Sequence, residues 1–277
     1  MVSKMTRTLS SLESRLILSL EWEKQPFLTI RQAGQALSVS DDRARVILHR
    51  LVKKGWLAPV VPGIFELIPA ERGEVAFVDT NPLALGSVLA DPYAFAYSTA
   101  AYFYGLTTQA STMVFLQTNT GKTHTVTARS KAYRVIAVPD DLFFGIETAN
   151  AYGSSVKMTD PEKTVLDSLF RPETSGDIPE VAAMLWQGKN RFDWQKLTDY
   201  ALKFKSQSLI QRLGFLLDEL NIEIPFTQRE RLLQQVDKNF CYLGRRAKWG
   251  QGGKQNTTWQ VIQNIPENEI QAEIQIN

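Results

Sequence analysis

The sequence predicts an α+β chain, and three observations carry that prediction. Near the N-terminus apolar residues recur at helical spacing and then give way to a turn-punctuated hairpin pattern. Short strand-like runs bounded by Gly, Pro, Asn and Asp follow. After them, spacing of three and four returns over five successive segments. With 277 residues, about 150 per domain gives roughly two domains. The composition shift places them at 1–69 and 70–277, the latter with helices and sheet over 70–160 and mainly helices with a late strand over 161–277.

Leu9, Leu12, Leu16 and Leu20 define a first amphipathic helix over Ser10 to Trp22, with Glu13, Arg15 and Glu21 interspersed. Thr29 and Gln32 form a capping box that starts a second helix, whose Ile30, Ala33 and Leu37 face inward. After Ser38-Val39-Ser40, Ser40 is the N-cap of a third helix, and Asp41 and Asp42 suit its positive end. Ala44, Ile47, Leu48 and Leu51 are its core stripe, which turns Asp42, Arg45, Val46, His49, Arg50 and Lys53 outward with Arg43 beside them. Gly55 ends that helix in the left-handed conformation, and Val61-Pro62-Gly63 turns a hairpin into Ile64-Phe65-Glu66-Leu67.

Two short helices joined by a tight turn, the second basic on its free face and followed by a hairpin, make a winged helix-turn-helix suited to the DNA major groove. Arg45, His49 and Arg50 reach base edges, whereas Arg43, Lys53 and Lys54 suit phosphates. The candidate DNA-contacting set is Ser40, Arg43, Arg45, His49, Arg50, Lys53, Lys54 and, at the wing tip, Gly63. Asp42 opposes phosphate unless it pairs with an arginine or accepts from cytosine, and the tip itself carries no Lys or Arg. A solvated basic face or a protein-binding winged helix is the alternative.

In the second domain, Pro82 to Leu89 and Tyr97 to Tyr104 are helix-like. Met113 to Gln117, His124 to Thr127, Arg134 to Val138 and Phe143 to Ala149 are strand-like. Pro161 to Phe170, Ile178 to Trp186, Trp194 to Phe204, Leu209 to Leu220 and Thr227 to Val236 read as helices, and Thr258 to Gln263 as a late strand. A sheet covered by helices is the economical arrangement of this order.

Composition removes several classes of function. One cysteine, Cys241, and two histidines, His49 and His124, leave no Cys-based zinc site and little for His-dependent hydrolysis. No run is long enough to span a membrane, and MVSKMTRTLSS lacks the apolar segment of a secretory signal, so the expected location is the cytoplasm. Gly121-Lys122-Thr123 ends like a phosphate-binding loop, but Leu116 stands where its first glycine belongs. Ser154-Ser155-Val156-Lys157 matches a Ser-x-x-Lys pattern without its companion elements. Thr159 and Glu162 read as a capping box with Pro161 in the first turn, and Asp167 and Arg171 as a surface i,i+4 pair. No acid–base pair survives, and neither enzymatic activity nor a cofactor is expected.

Charge is distributed in blocks. Residues 1–69 carry 10 basic and 6 acidic side chains, 70–228 carry 14 and 18, 229–254 carry 7 and 2, and 255–277 carry 0 and 3. A polyanion is drawn to the first and third blocks. The third contains Arg245, Arg246, Lys248 and Trp249, a mixture that serves either a nucleic-acid patch or a solvated loop.

Several stretches together resemble the AbiEi antitoxins of type IV toxin–antitoxin systems, a family associated with abortive phage infection. They are Leu51-Val52-Lys53-Lys54-Gly55-Trp56-Leu57 with Pro62 to Leu67, and Ala96 to Ala101 followed by Tyr104-Gly105-Leu106. Thr159 to Asp167, Gly176 to Val181 and Trp259 to Pro266 complete the order. Phe65 departs from the tyrosine common in the family, and no Arg precedes Gly63. The resemblance implies a winged helix that represses its own operon at inverted repeats in double-stranded DNA. It also implies a second domain that counters a nucleotidyltransferase toxin without a stable complex. Two rivals remain at the level of sequence: a nuclease-like second domain using Asp140, Asp141 and Lys157, and a ligand-sensing transcription factor with a buried polar pocket.

Overall fold

The computed structural model describes residues 8–69 and 81–276, and the fold is α+β. The chain divides into two compact units: the described part of 1–91 with 125–133 and 149–156, and 92–124 with 134–148 and 157–276.

The first unit opens with α1 (Ser11–Trp22), β1 (Phe27–Thr29), α2 (Ile30–Leu37) and α3 (Asp41–Lys53). The antiparallel strands β2 (Leu57–Val61) and β3 (Ile64–Leu67) follow. Local chemistry sets each start. The capping box of Thr29 and Gln32 forms, and Ser40 accepts from the Arg43 amide at 3.4 Å. A capping box of Ser10 and Glu13 also starts α1. Gly55 and Gly63 take the left-handed backbone that the helix end and the hairpin tip require. β1, too short to show alternation, joins β3 antiparallel, so β3 is central in the order β1-β3-β2. Leu16, Ile17 and Leu20 of α1 pack with Ala33, Leu37, Ala44, Leu48 and Leu51 of the next two helices and with Leu57, Phe65 and Leu67. Ile30, expected inside, is only half-buried. α4 (Pro82–Gly86) follows.

The main sheet has six strands in the order β6-β7-β5-β4-β9-β8. They are β4 (Ala94–Phe95), β5 (Met113–Thr118), β6 (His124–Ala128), β7 (Lys131–Ala137), β8 (Ile146–Ala151) and β9 (Ser154–Thr159). β4 has only two residues, yet it joins the two halves, antiparallel to β5 and parallel to β9. Its shortness hid it from sequence periodicity.

The helices of the second unit are α5 (Tyr97–Phe103), α6 (Pro161–Phe170), α7 (Ile178–Gly188) and α8 (Trp194–Lys203), then α9 (Gln207–Glu219), α10 (Phe226–Leu233), α11 (Arg246–Trp249) and α12 (Glu267–Ile276). The late strand is shorter than expected. It is β12 (Val261–Gln263), which does not extend the main sheet but pairs parallel to β10 (Cys241–Tyr242) and antiparallel to β11 (Lys254–Asn256).

Two local readings are corrected around α6. The N-cap is Asp160, whose carboxylate accepts from the Lys163 amide at 2.8 Å. Thr159 instead donates to the Phe95 carbonyl, and Glu162 accepts from the Asp193 amide. Asp167 is not on the surface: every residue from Glu162 to Leu169 is buried, and Asp167 pairs with Lys163 rather than Arg171.

Trp259 is fully buried, and its indole N–H donates to Asp218 at 2.7 Å. Gly214 on α9 permits that position, since a Cβ there would lie 2.2 Å from the Trp259 ring. Gly214→Ala therefore overpacks the core and is expected to cost about 1–3 kcal/mol, read as a lowered urea midpoint with an unchanged m-value.

Candidate nucleic-acid interface

α3 presents two chemically distinct faces. Ala44, Ile47, Leu48 and Leu51 are buried, whereas Arg43, Arg45, Val46, His49, Arg50 and Lys53 are exposed. The helix starts with its N-cap Ser40 exposed, and Asp41 and Asp42 in the first turn complement the helix dipole. Arg45 pairs with Asp42 at 2.9 Å, with side-chain exposures of 52% and 92%. Such an open pair is weak and competes readily with a phosphate or base, so Asp42 holds the guanidinium over the first turn rather than repelling a duplex unscreened.

The hairpin borders this face. Arg45 and His49 line a groove with Ile30, Phe65 and the Pro59–Gly63 turn. His49 meets Phe65 edge-on, their ring centroids 6.1 Å apart. The Ile30 amide donates to the Gly63 carbonyl at 3.2 Å, tying the start of α2 to the hairpin tip. Half-buried Ile30 is therefore part of the groove wall.

Lys54 plays another part. Its ammonium lies 2.7 Å from Glu13, which is 3% exposed. Burial raises the Glu13 carboxyl, but bonds from Lys54 and the Ser10 amide outweigh it and hold the group below the usual carboxylate value. Lys54→Ala strips the main partner from a buried acid. It is expected to cost about 1–3 kcal/mol of stability, seen in thermal melts, while leaving the salt dependence of DNA binding unchanged. Glu66 of β3, 1% exposed, is likewise paired, with Arg129 at 2.7 Å.

The C-terminal basic residues converge on one buried carboxylate. Asp177 precedes α7 with φ of 89° and is 2% exposed. It accepts from the Trp249 indole at 3.0 Å, with Lys248 at 3.1 Å and Arg245 at 3.9 Å. Burial raises this carboxyl, but Trp249, the Ile178 amide and Lys248 together lower it below its ordinary value. Arg246 lies over Tyr242, 5.5 Å from the ring centroid. Three members of the patch thus stabilise a strained turn, and sequence offered no sign of their common anion.

A second polar cluster surrounds α6. Lys163 is 0% exposed, pairs with Asp167, and lies 4.8 Å from the ring centroids of Phe144 and Phe204. Asp160 accepts from Tyr200 at 3.1 Å, and Lys196 bridges Asp160 and Glu162 at 3.2 and 2.9 Å. Burial pushes the Asp160 carboxyl above its ordinary value. Lys196 is pushed upward, because Glu162 and Asp160 outweigh its own desolvation. These groups satisfy one another.

The residues named for a nuclease have separate partners. Asp140 accepts from Asn119, Asp141 lies 3.7 Å from Lys205, and Lys157 donates to Thr148. Among the described residues, no group of three or more His, Cys, Asp and Glu could hold a metal ion, and no helix is long and apolar enough to cross a membrane.

No family model matches this chain, and no curated protein matches it. Among solved structures it is similar to the crystal structure of the RV2827C protein from Mycobacterium tuberculosis, with a TM-score of 0.64 and 18% identity. The similarity covers 98% of this chain and 97% of that one, and at this identity it is a likeness of fold.

Proposed function

We propose that residues 1–69 form a winged helix-turn-helix that binds operator DNA through α3, and that the chain is a non-enzymatic autorepressor and antitoxin of the type IV kind. The observation that carries the DNA-binding half is the free face of α3, where Arg43, Arg45, His49, Arg50 and Lys53 are exposed above an apolar underside and beside a hairpin. Arg45, His49 and Arg50 reach base edges, and exposed Val46 suits a thymine methyl. Arg43 and Lys53 take phosphates, and the exposed hydroxyl of Ser40 and the backbone of Gly63 border the same face. Lys54 is withdrawn from that set by Glu13. The antitoxin half rests on the AbiEi-like order of motifs: residues 70–277 counter a nucleotidyltransferase toxin in the cytoplasm without a stable complex.

The test is a titration of upstream DNA by fluorescence anisotropy across a series of salt concentrations. With about two phosphates neutralised per bound protomer, by Arg43 and Lys53, log affinity falls against log salt with a slope of about −1.8. A slope near zero, or equal affinity for upstream and unrelated DNA, removes the assignment.

A further inference from the structure

A cavity of about 410 Å³ lies within the second unit, between the start of α5, the 107–112 loop, β5 and the 173–176 turn before α7. That volume holds a molecule of sugar size. Ser98, Ser111, Thr174 and Ser175 bring hydroxyl groups to its lining, while Met113 and Phe115 give it an apolar side.

The hydroxyls differ in the bonding capacity they have left. Thr174 donates to the Arg171 carbonyl at 2.6 Å and Ser175 to Ser168 at 2.9 Å, so each keeps acceptor sites. Ser111 accepts from the Met113 amide at 3.1 Å and keeps its own proton to give. Thr107 and Glu180 on the same wall are bonded to each other and to further partners, so they are not what a ligand completes. Ser98 is different. It is 7% exposed, and its Oγ is buried on this wall without a hydrogen-bond partner. A buried hydroxyl left unpaired forfeits its solvation, so in a native fold it calls for an explanation, and a ligand group that completes it is one.

This wall selects its ligand by hydrogen-bonding type rather than by charge. Serine and threonine hydroxyls both donate and accept and turn to suit either, so they match ligand groups that do the same. A compact ring bearing several hydroxyls meets that need, and its C–H face fits the Met113 and Phe115 side. A purely apolar ligand leaves Ser98 unpaired. We propose that this cavity is a binding site for a polyhydroxylated ring of monosaccharide size, with one ring hydroxyl completing Ser98 and others meeting Ser111 and Thr174. The proposal goes beyond the DNA-binding reading and does not rest on it, so a chain that failed to bind DNA would leave the following measurement unaffected.

The experiment is calorimetric titration of the full chain with D-glucose, D-galactose, D-mannose and myo-inositol, beside cyclohexanol, a ring of the same size with one hydroxyl. At least one of the four polyols is expected to bind saturably with Kd of about 1–10 mM, the range for a ligand of this size, and cyclohexanol about tenfold more weakly or worse. Ser98→Ala should weaken binding of that polyol about threefold to tenfold. The same variant should melt no lower than the parent without ligand, because the hydroxyl it removes has no partner to lose. Absence of saturable binding by all four polyols overturns the proposal. So does cyclohexanol binding as tightly as the best of them, or full affinity in a folded Ser98→Ala variant, which would show that solvent alone completes Ser98.

Discussion

Replacing Arg45 and Arg50 together by alanine is expected to reduce operator affinity by about 100-fold or more, to the level of non-specific DNA. Each good bidentate base contact discriminates by about 1–3 kcal/mol, and two lost together remove most of the sequence preference. Neither side chain is needed for folding. Arg45 is bound to Asp42 on the open surface, and the core stripe of α3 lies on the opposite side. The melting temperature should therefore stay within about 1–2 °C of the parent, since surface substitutions of this kind fall within about ±0.5 kcal/mol. Measurement requires binding to upstream and scrambled DNA at one salt concentration, beside thermal melts. Retained preference in a folded variant would show that another surface reads the operator. The same variant separates the two proposed activities: cells co-expressing the toxin should remain protected, and loss of protection by a stable protein would argue against independent roles.

The other large effect concerns stability. Asp167→Ala leaves the ammonium of Lys163 buried without its ion-pair partner, between Phe144 and Phe204. Removing one member of such a pair costs about 3–5 kcal/mol. At about 2–4 °C per kcal/mol for a domain of this size, the melting temperature should fall by about 6–20 °C. Lys163→Met with Asp167→Leu removes both charges and should recover most of the loss, because two apolar side chains carry no uncompensated charge. A single variant as stable as the parent would show that water or another group already compensates Lys163.

The contrast between legible and hidden features follows the range of the interactions. Ser40, Gly55 and the α3 stripe were readable because caps and helical faces depend on residues within a turn of one another. The partners of Glu13 and Glu66 were hidden because Lys54 is 41 residues from the first and Arg129 is 63 from the second. Lys163 and Asp167 have a helical spacing that sequence displays, but Asp167 and Arg171 share it. The choice between them is made by the packing that buries α6 on all sides. β1 and β4 are too short for periodicity to register, although each completes a sheet. Among the proposed DNA contacts only Lys54 is drawn away, and the C-terminal cations were visible as a cluster without their focus, Asp177.

The Arg129–Glu66 pair has a consequence for biosynthesis. The strand holding Glu66 is translated long before the hairpin that carries Arg129, so the ion pair that ties this hairpin to the N-terminal body closes only after the later segment has emerged from the ribosome. A protease-protection time course on stalled chains should show that body gaining full resistance only after residues 125–133 have left the exit tunnel.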